Sequence, residues 1–230
     1  QYARKANQII TVSEYSKNDI SNCYDIDQER ITVIYNGVSN AYGTITNQEK
    51  DQYQKAYTKG KPYFIFVGSI HPRKNVERLL KAFKLFHERN SDYQLLIVGS
   101  NMWRNQSLKV PETIKENVFF TGHIQMEILT KLMASAFTLV YPPYFEGFGI
   151  PLVEAMKCGV PILSSDRTCL PEIAGNAALY FDPFDVVQMA NRMDEITTNS
   201  AKREELIEVG LKKAKDYNWD QAASKTWEIL

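Results

Sequence analysis

The chain has 230 residues, with 27 Lys and Arg against 27 Asp and Glu and a formal net charge of zero. That balance argues against a nucleic-acid partner, which asks for a basic excess. Hydrophobic residues at 44% and charged residues at 23% are ordinary globular composition and exclude extended disorder. No apolar run is long enough to span a bilayer, and the first residues lack the order of a secretion signal. Cys23, Cys158 and Cys169 give neither a metal-ligand spacing nor a disulfide framework, which favours a reducing, cytoplasmic setting. The start at Gln1 rather than Met, a few residues before a strand, suggests a piece of a longer protein.

In chain order, 9–12 reads as a strand, and Ser13 is placed to cap a helix ending near Tyr24. A second strand at 31–34 closes on Asn36-Gly37. The stretch 41–61 is polar and weakly periodic, a linker with one short helix near 48–57. From Pro62 the rhythm is strict. Tyr63-Phe64-Ile65-Phe66-Val67 ends at Gly68 and has the unbroken apolar character of a strand buried on both faces. Asn75 is placed to cap a helix whose Leu79, Leu80, Phe83 and Phe86 recur at helical spacing.

Further strands are expected at 95–98, 118–120, 137–141, 160–163 and 178–181, and helices at 126–136, 149–157, 186–197, 201–217 and 219–230. Alternation of this kind predicts an α/β fold, a parallel sheet with helices on both faces. Ligands of such sheets bind beyond the carboxyl ends of the strands.

Two of those ends carry chemistry. After the strand at 137–141 the chain reads Tyr-Pro-Pro-Tyr-Phe-Glu-Gly-Phe-Gly-Ile-Pro. Gly147 and Gly149 allow close backbone approach, and Pro151 suits a first helical turn. The free amides there form an anion site. Glu146 and Glu154 flank it and would repel a bare phosphate, but suit the hydroxyls of a sugar and a ribose. Read instead as a favourable dipole partner and a solvated helix residue, they carry no function.

After the strand at 63–67, Arg73 and Lys74 stand just before a helix, where cations oppose the dipole. A diphosphate is their natural counter-charge, although a solvated pair reads equally well in isolation. His71, His87 and His123 read as loop or structural histidines. Glu172 suits either helix capping or a contact on the donor side, and Cys158 a small buried position.

The run EGFGIPLVEAMKCGVPILSS, with GSIHPRKN, LLIVGS, FFTGHI and LPEIAGNAALYFDP in the same order, resembles the family 4 retaining glycosyltransferases. Their GT-B fold has two Rossmann-like domains. The resemblance implies that 62–230 is the C-terminal, nucleotide-sugar-binding domain with a terminal crossover helix, and that 1–40 is a remnant of the N-terminal acceptor-binding domain. It implies that Glu154 binds the ribose and Glu146 the donor sugar.

By the same resemblance, Gly147, Phe148, Gly149 and Ile150 present the glycine loop's amides to the sugar-diphosphate, and Lys74 binds the diphosphate. Gly68 and Ser69 belong to the same pocket. Many relatives have Arg where this chain has Ser69, and Arg73 would then supply that charge. Gly122, His123 and Ile124 match the segment that holds the base.

The family also implies no bound cofactor and no metal, and a nucleotide diphosphate sugar as donor, with GDP-mannose ahead of a UDP-sugar. Transfer would be to a saccharide or lipid-linked acceptor with retention. It leaves open peripheral membrane association at the inner face and self-association through the apolar stripe Trp219, Ala223, Trp227 and Leu230. A non-catalytic nucleotide-sugar-binding module and a sugar-nucleotide epimerase on a similar scaffold are the rival readings.

Overall fold

A computed structural model describes residues 2–100 and 108–229. The chain opens with α1 (Tyr2–Lys5), β1 (Ile9–Thr11), α2 (Glu14–Tyr24) and β2 (Ile31–Val33). It continues with α3 (Asn47–Thr58), β3 (Tyr63–Val67), α4 (Val76–His87), β4 (Gln94–Val98), β5 (Val118–Gly122) and α5 (Met126–Ser135). Next come β6 (Thr138–Tyr141), α6 (Ile150–Lys157), β7 (Ile162–Ser165), α7 (Leu170–Ala174) and β8 (Ala178–Phe181). The helices α8 (Val186–Thr198), α9 (Ser200–Lys213) and α10 (Trp219–Trp227) follow.

Strands β3 to β8 form one parallel sheet in the order β5-β4-β3-β6-β7-β8. The chain therefore reverses its direction of travel across the sheet between β3 and β6, which makes that seam the switch point where ligands bind. Right-handed crossovers then put α4, leading from β3 to β4, and α6, leading from β6 to β7, on opposite faces. α4 packs with α8, and α6 with α9.

Every residue of β3, β4, β6 and β7 is buried, which is why these strands are unbroken apolar runs rather than alternating ones. Phe64 sits at the centre of an aromatic cluster with Phe83, Phe86, Tyr93 and Phe137. Burying one such ring contributes about 1.5–3 kcal/mol.

The helix expected at 48–57 runs a little longer, as α3, and opens with a capping box between Thr46 and Glu49. It packs on α5 through the ion pair Lys131–Glu49 at 2.7 Å. One expectation fails. Asn75 precedes α4 but its side chain does not cap it; its backbone is left-handed at φ 62° and its amide is used elsewhere.

The N-terminal unit is a parallel pair, β1 and β2, joined by α2. Two strands are marginal alone, and the unit packs on the larger sheet's loops instead. Gly37 lies directly beneath α10, where a Cβ would come within 2.3 Å of the Trp219 nitrogen. Val38 N–H donates to the Tyr217 carbonyl at 3.3 Å, so the segment after β2 runs beside the segment before α10.

On α10, Ala222 faces inward, while Trp219 and Trp227 are 51% and 80% exposed. Ala223 is exposed too, and Leu230 of the expected stripe lies outside the described residues. Among the described residues no helix is long and apolar enough to cross a membrane.

Candidate active site at the sheet switch point

The loops after β3 and β6 meet over the seam. The loop after β3 leaves the sheet through Gly68, at φ 148°, against Gly99 at φ 140°. A Cβ on Gly99 would fall 2.0 Å from the Gly68 carbonyl oxygen, so the loops after β3 and β4 can touch only if that position is glycine. His71 Nδ1 accepts from Arg73 N–H at 3.3 Å and starts one tight turn, Pro72–Lys74. Asn75 then donates its amide to the carbonyls of Pro142, at 3.1 Å, and Pro183, at 2.7 Å. One buried amide thereby ties together the loops after β3, β6 and β8.

That turn places Arg73 and Lys74 on Glu146. The Arg73 guanidinium lies 2.8 Å from Glu146 Oε1, and the Lys74 ammonium pairs with the same oxygen. Lys74 also donates to the Tyr141 hydroxyl at 2.7 Å and lies over that ring. Burial pulls the Lys74 pKa down against the opposing pull of Glu146. Burial drives the Tyr141 phenol far up, with Glu146 adding to it.

The Glu146 backbone is held at both ends. Its N–H donates to Thr168 Oγ1 at 3.3 Å, and its carbonyl accepts from the Cys169 thiol at 3.2 Å. Thr168 takes a left-handed backbone at φ 58°, a strained conformation for a β-branched residue. Burial pushes the Cys169 thiol up to about 12, so it acts as a neutral donor.

Two cations on one carboxylate leave a net positive charge at the mouth of the glycine loop. Gly149 adopts φ 88° and starts α6 without a side-chain cap. Among the described residues the N–H groups of Phe148, Gly149 and Ile150 make no protein hydrogen bond. Free amides and a helix start thus lie within a few residues of the carboxylate that gathers two cations, an arrangement beyond β3 and β6 suited to an anion.

Glu154 lies apart from this cluster. It is half-buried on α6 beside Tyr42 and Cys158. Burial raises its pKa, and Tyr42 partly offsets the rise. The Tyr42 hydroxyl is buried and lacks a partner at full hydrogen-bond geometry. Gly68 is half-buried beside Lys74, and Ser69 is half-buried after it.

Gly122, at φ 68°, has open space where a side chain would point, and its carbonyl accepts from Gly99 N–H at 2.9 Å. His123 beside it is exposed and Ile124 half-buried. Glu172 resolves as a cap, but of a different helix: its carboxylate accepts from the first amides of α2. Cys158 is a small buried residue, as expected. Thr168 and the bridging role of Asn75 carry no sequence signal of their own, because each acts across the fold.

Residues 47–213 match the family described as Glycosyl transferases group 1. The chain belongs to that family. Residues 1–41 match the family described as Glycosyltransferase Family 4. The chain is 33% identical over 229 residues to O-antigen chain mannosyltransferase B of Escherichia coli, covering 96% of this chain and 59% of that one. It is 34% identical over 185 residues to O-antigen chain mannosyltransferase RfbU of Salmonella typhimurium, covering 79% and 48%. The chain therefore spans about half the length of these relatives.

Among solved structures, Anabaena Alr3699/HepE in complex with UDP and glucose superposes with a TM-score of 0.87 at 19% identity, over 98% of this chain and 64% of that one. WaaG, a glycosyltransferase involved in lipopolysaccharide biosynthesis, gives 0.83 at 22% identity, over 96% and 62%. At such identities the likeness concerns the fold, which is that of GT-B glycosyltransferases.

Proposed function

We propose that this chain is the donor-binding half of a retaining family 4 hexosyltransferase. The sugar is mannosyl by preference, carried by GDP-mannose ahead of a UDP-sugar. The whole protein would transfer it to a saccharide or lipid-linked acceptor. The observation that carries the reading is the convergence of Arg73, Lys74 and the free glycine-loop amides at the switch point. In this reading they take up the charge developing on the departing diphosphate, the work a metal does elsewhere.

Glu146 orients the donor sugar and Glu154 the ribose. The relatives named as mannosyltransferases favour mannose. The UDP in the structural neighbours keeps a uridine donor in the test.

Calorimetric titration of the protein with GDP, UDP, GDP-mannose and UDP-glucose tests the reading. Saturable binding of a diphosphate nucleotide, tighter for one base, is expected. A folded protein that binds none of the four overturns it. The acceptor side has a separate test. Residues 1–230 alone should bind donor without transferring sugar to an acceptor array, because positioning the acceptor supplies much of the barrier reduction. Robust transfer by this span would place the acceptor site within it.

A further inference from the structure

The glycine loop does not hold its own shape. Gly147 has no side chain, and its carbonyl is gripped from the far end of the sequence. Ser13 Oγ donates to it at 2.7 Å and Ser16 Oγ at 3.2 Å. Both hydroxyls sit in the first turn of α2, where Ser13 also caps the helix by accepting from Ser16 N–H at 3.1 Å.

That turn is itself fixed to the donor side. The Glu172 carboxylate accepts from Glu14 N–H at 2.8 Å and Tyr15 N–H at 3.1 Å, one oxygen each. The Tyr15 ring meets Phe145, the residue before Glu146, edge-on at 6.2 Å. Two hydroxyls, two amides and a ring contact therefore join α2 to the loop 145–147 and to α7.

From these contacts we infer that Ser13 and Ser16 are positioning residues for the anion site, with Glu172 as the anchor that holds them in place. The inference rests on the donor-site reading above. In a trans peptide the carbonyl and the following N–H point in opposite directions. Holding the Gly147 oxygen toward α2 therefore turns the Phe148 N–H away from α2. With Glu146 clamped by Thr168 and Cys169 on the other side, the peptide between Gly147 and Phe148 is fixed in both place and rotation.

An anion hole works by such pre-set donors, because no energy is then lost to reorganisation on binding. A glycine peptide left unheld would sample many orientations, since glycine has the widest backbone freedom. The N-terminal unit thus helps shape the donor site without offering a group to the ligand.

The test uses Ser16→Ala, the pair Ser13→Ala with Ser16→Ala, the hydroxyl-retaining pair Ser13→Thr with Ser16→Thr, and Lys74→Ala. UDP and GDP serve as probes, followed by calorimetry and by the amide resonance of Phe148. Ser16→Ala should weaken binding about 3-fold and the alanine pair about 10-fold, with near-parental affinity in the threonine pair. The Phe148 resonance should respond to nucleotide in the parent and respond less in the alanine pair, a change that lost helix capping alone would not produce.

Lys74→Ala weakening binding while folded Ser16→Ala and the alanine pair bind as the parent overturns the inference and leaves the donor site standing. Should the alanine pair fail to fold, Ser16→Ala decides the matter alone, because Ser13 still caps α2. Loss of no affinity in any variant, Lys74→Ala included, overturns the donor-site reading and this inference with it.

Discussion

Glu146 and Glu154 stand on one short stretch of chain, yet the fold treats them differently. The Glu146 carboxylate is paired with Arg73 and Lys74 before any ligand arrives, while Thr168 and Cys169 hold its backbone. Glu154 is half-buried beside a tyrosine, and its burial works against its charge. The first carboxylate is structurally satisfied and gives something up when a diphosphate takes its cations. The second is under-satisfied, and gains from any hydroxyl that donates to it. A buried ionised group is costly unless paired, so two identical side chains stand in opposite electrostatic situations.

Lys74→Ala should break this contrast most severely. Removing one partner of a buried ion pair costs about 3–5 kcal/mol, reduced here because Arg73 keeps its bond to Glu146. Nucleotide affinity should fall about 100-fold, or ~2.8 kcal/mol. Thermal melts beside calorimetry check both halves, and an unchanged affinity would remove Lys74 from the diphosphate role.

Glu154→Ala comes next. It should weaken nucleotide diphosphate binding by about 1.5–3 kcal/mol, the range for hydrogen bonds to a charged group, with the fold intact. Equal affinity in a folded variant would take Glu154 out of the ribose role.

Glu146→Ala should separate ligands rather than abolish binding. The intact nucleotide sugar should lose about 10-fold, ~1.4 kcal/mol. The free nucleotide should bind as well or better, because a competing anion is gone. Equal losses for the two ligands would contradict a sugar-facing carboxylate.

Glu154→Gln sharpens the comparison through pH. The folded protein raises this carboxyl pKa above its ordinary value near 4.5. The group's stabilising contribution is therefore complete below about pH 4.5, the ordinary range, and is lost as pH rises through the raised value. Glutamine removes that loss. The variant should melt higher than the parent at neutral pH. The gap should close below pH 4.5, the ordinary pKa. A constant gap across pH would assign the effect to packing instead.

The smallest effect belongs far from both carboxylates. Trp227→Glu on the exposed face of α10 should change stability within about 0.5 kcal/mol. It should also abolish any self-association seen in sedimentation, while parental and variant proteins with identical profiles would leave that face without a partner.

The strands and their helical connections, though not the strand order, are written in the sequence. Strand β3 and the core face of α4 follow from apolar runs and helical spacing, because burial acts locally on each element and leaves a periodic trace. Arg73, Lys74, Glu146 and the glycine pair were also legible, since cations before a helix and glycines at a strand end are local anomalies. Asn75 shows the limit. As a residue type it suits a cap, but its amide finds two distant carbonyls instead.

Tertiary structure alone settled that Glu146 pairs with both Arg73 and Lys74, that Tyr42 faces Glu154, and that Ser13, Ser16 and Glu172 join α2 to the glycine loop. Ion pairs and hydrogen bonds act over a few ångströms between residues far apart in the chain. They leave no period to read, and which donor meets which acceptor is settled only once the sheet order has brought the loops together.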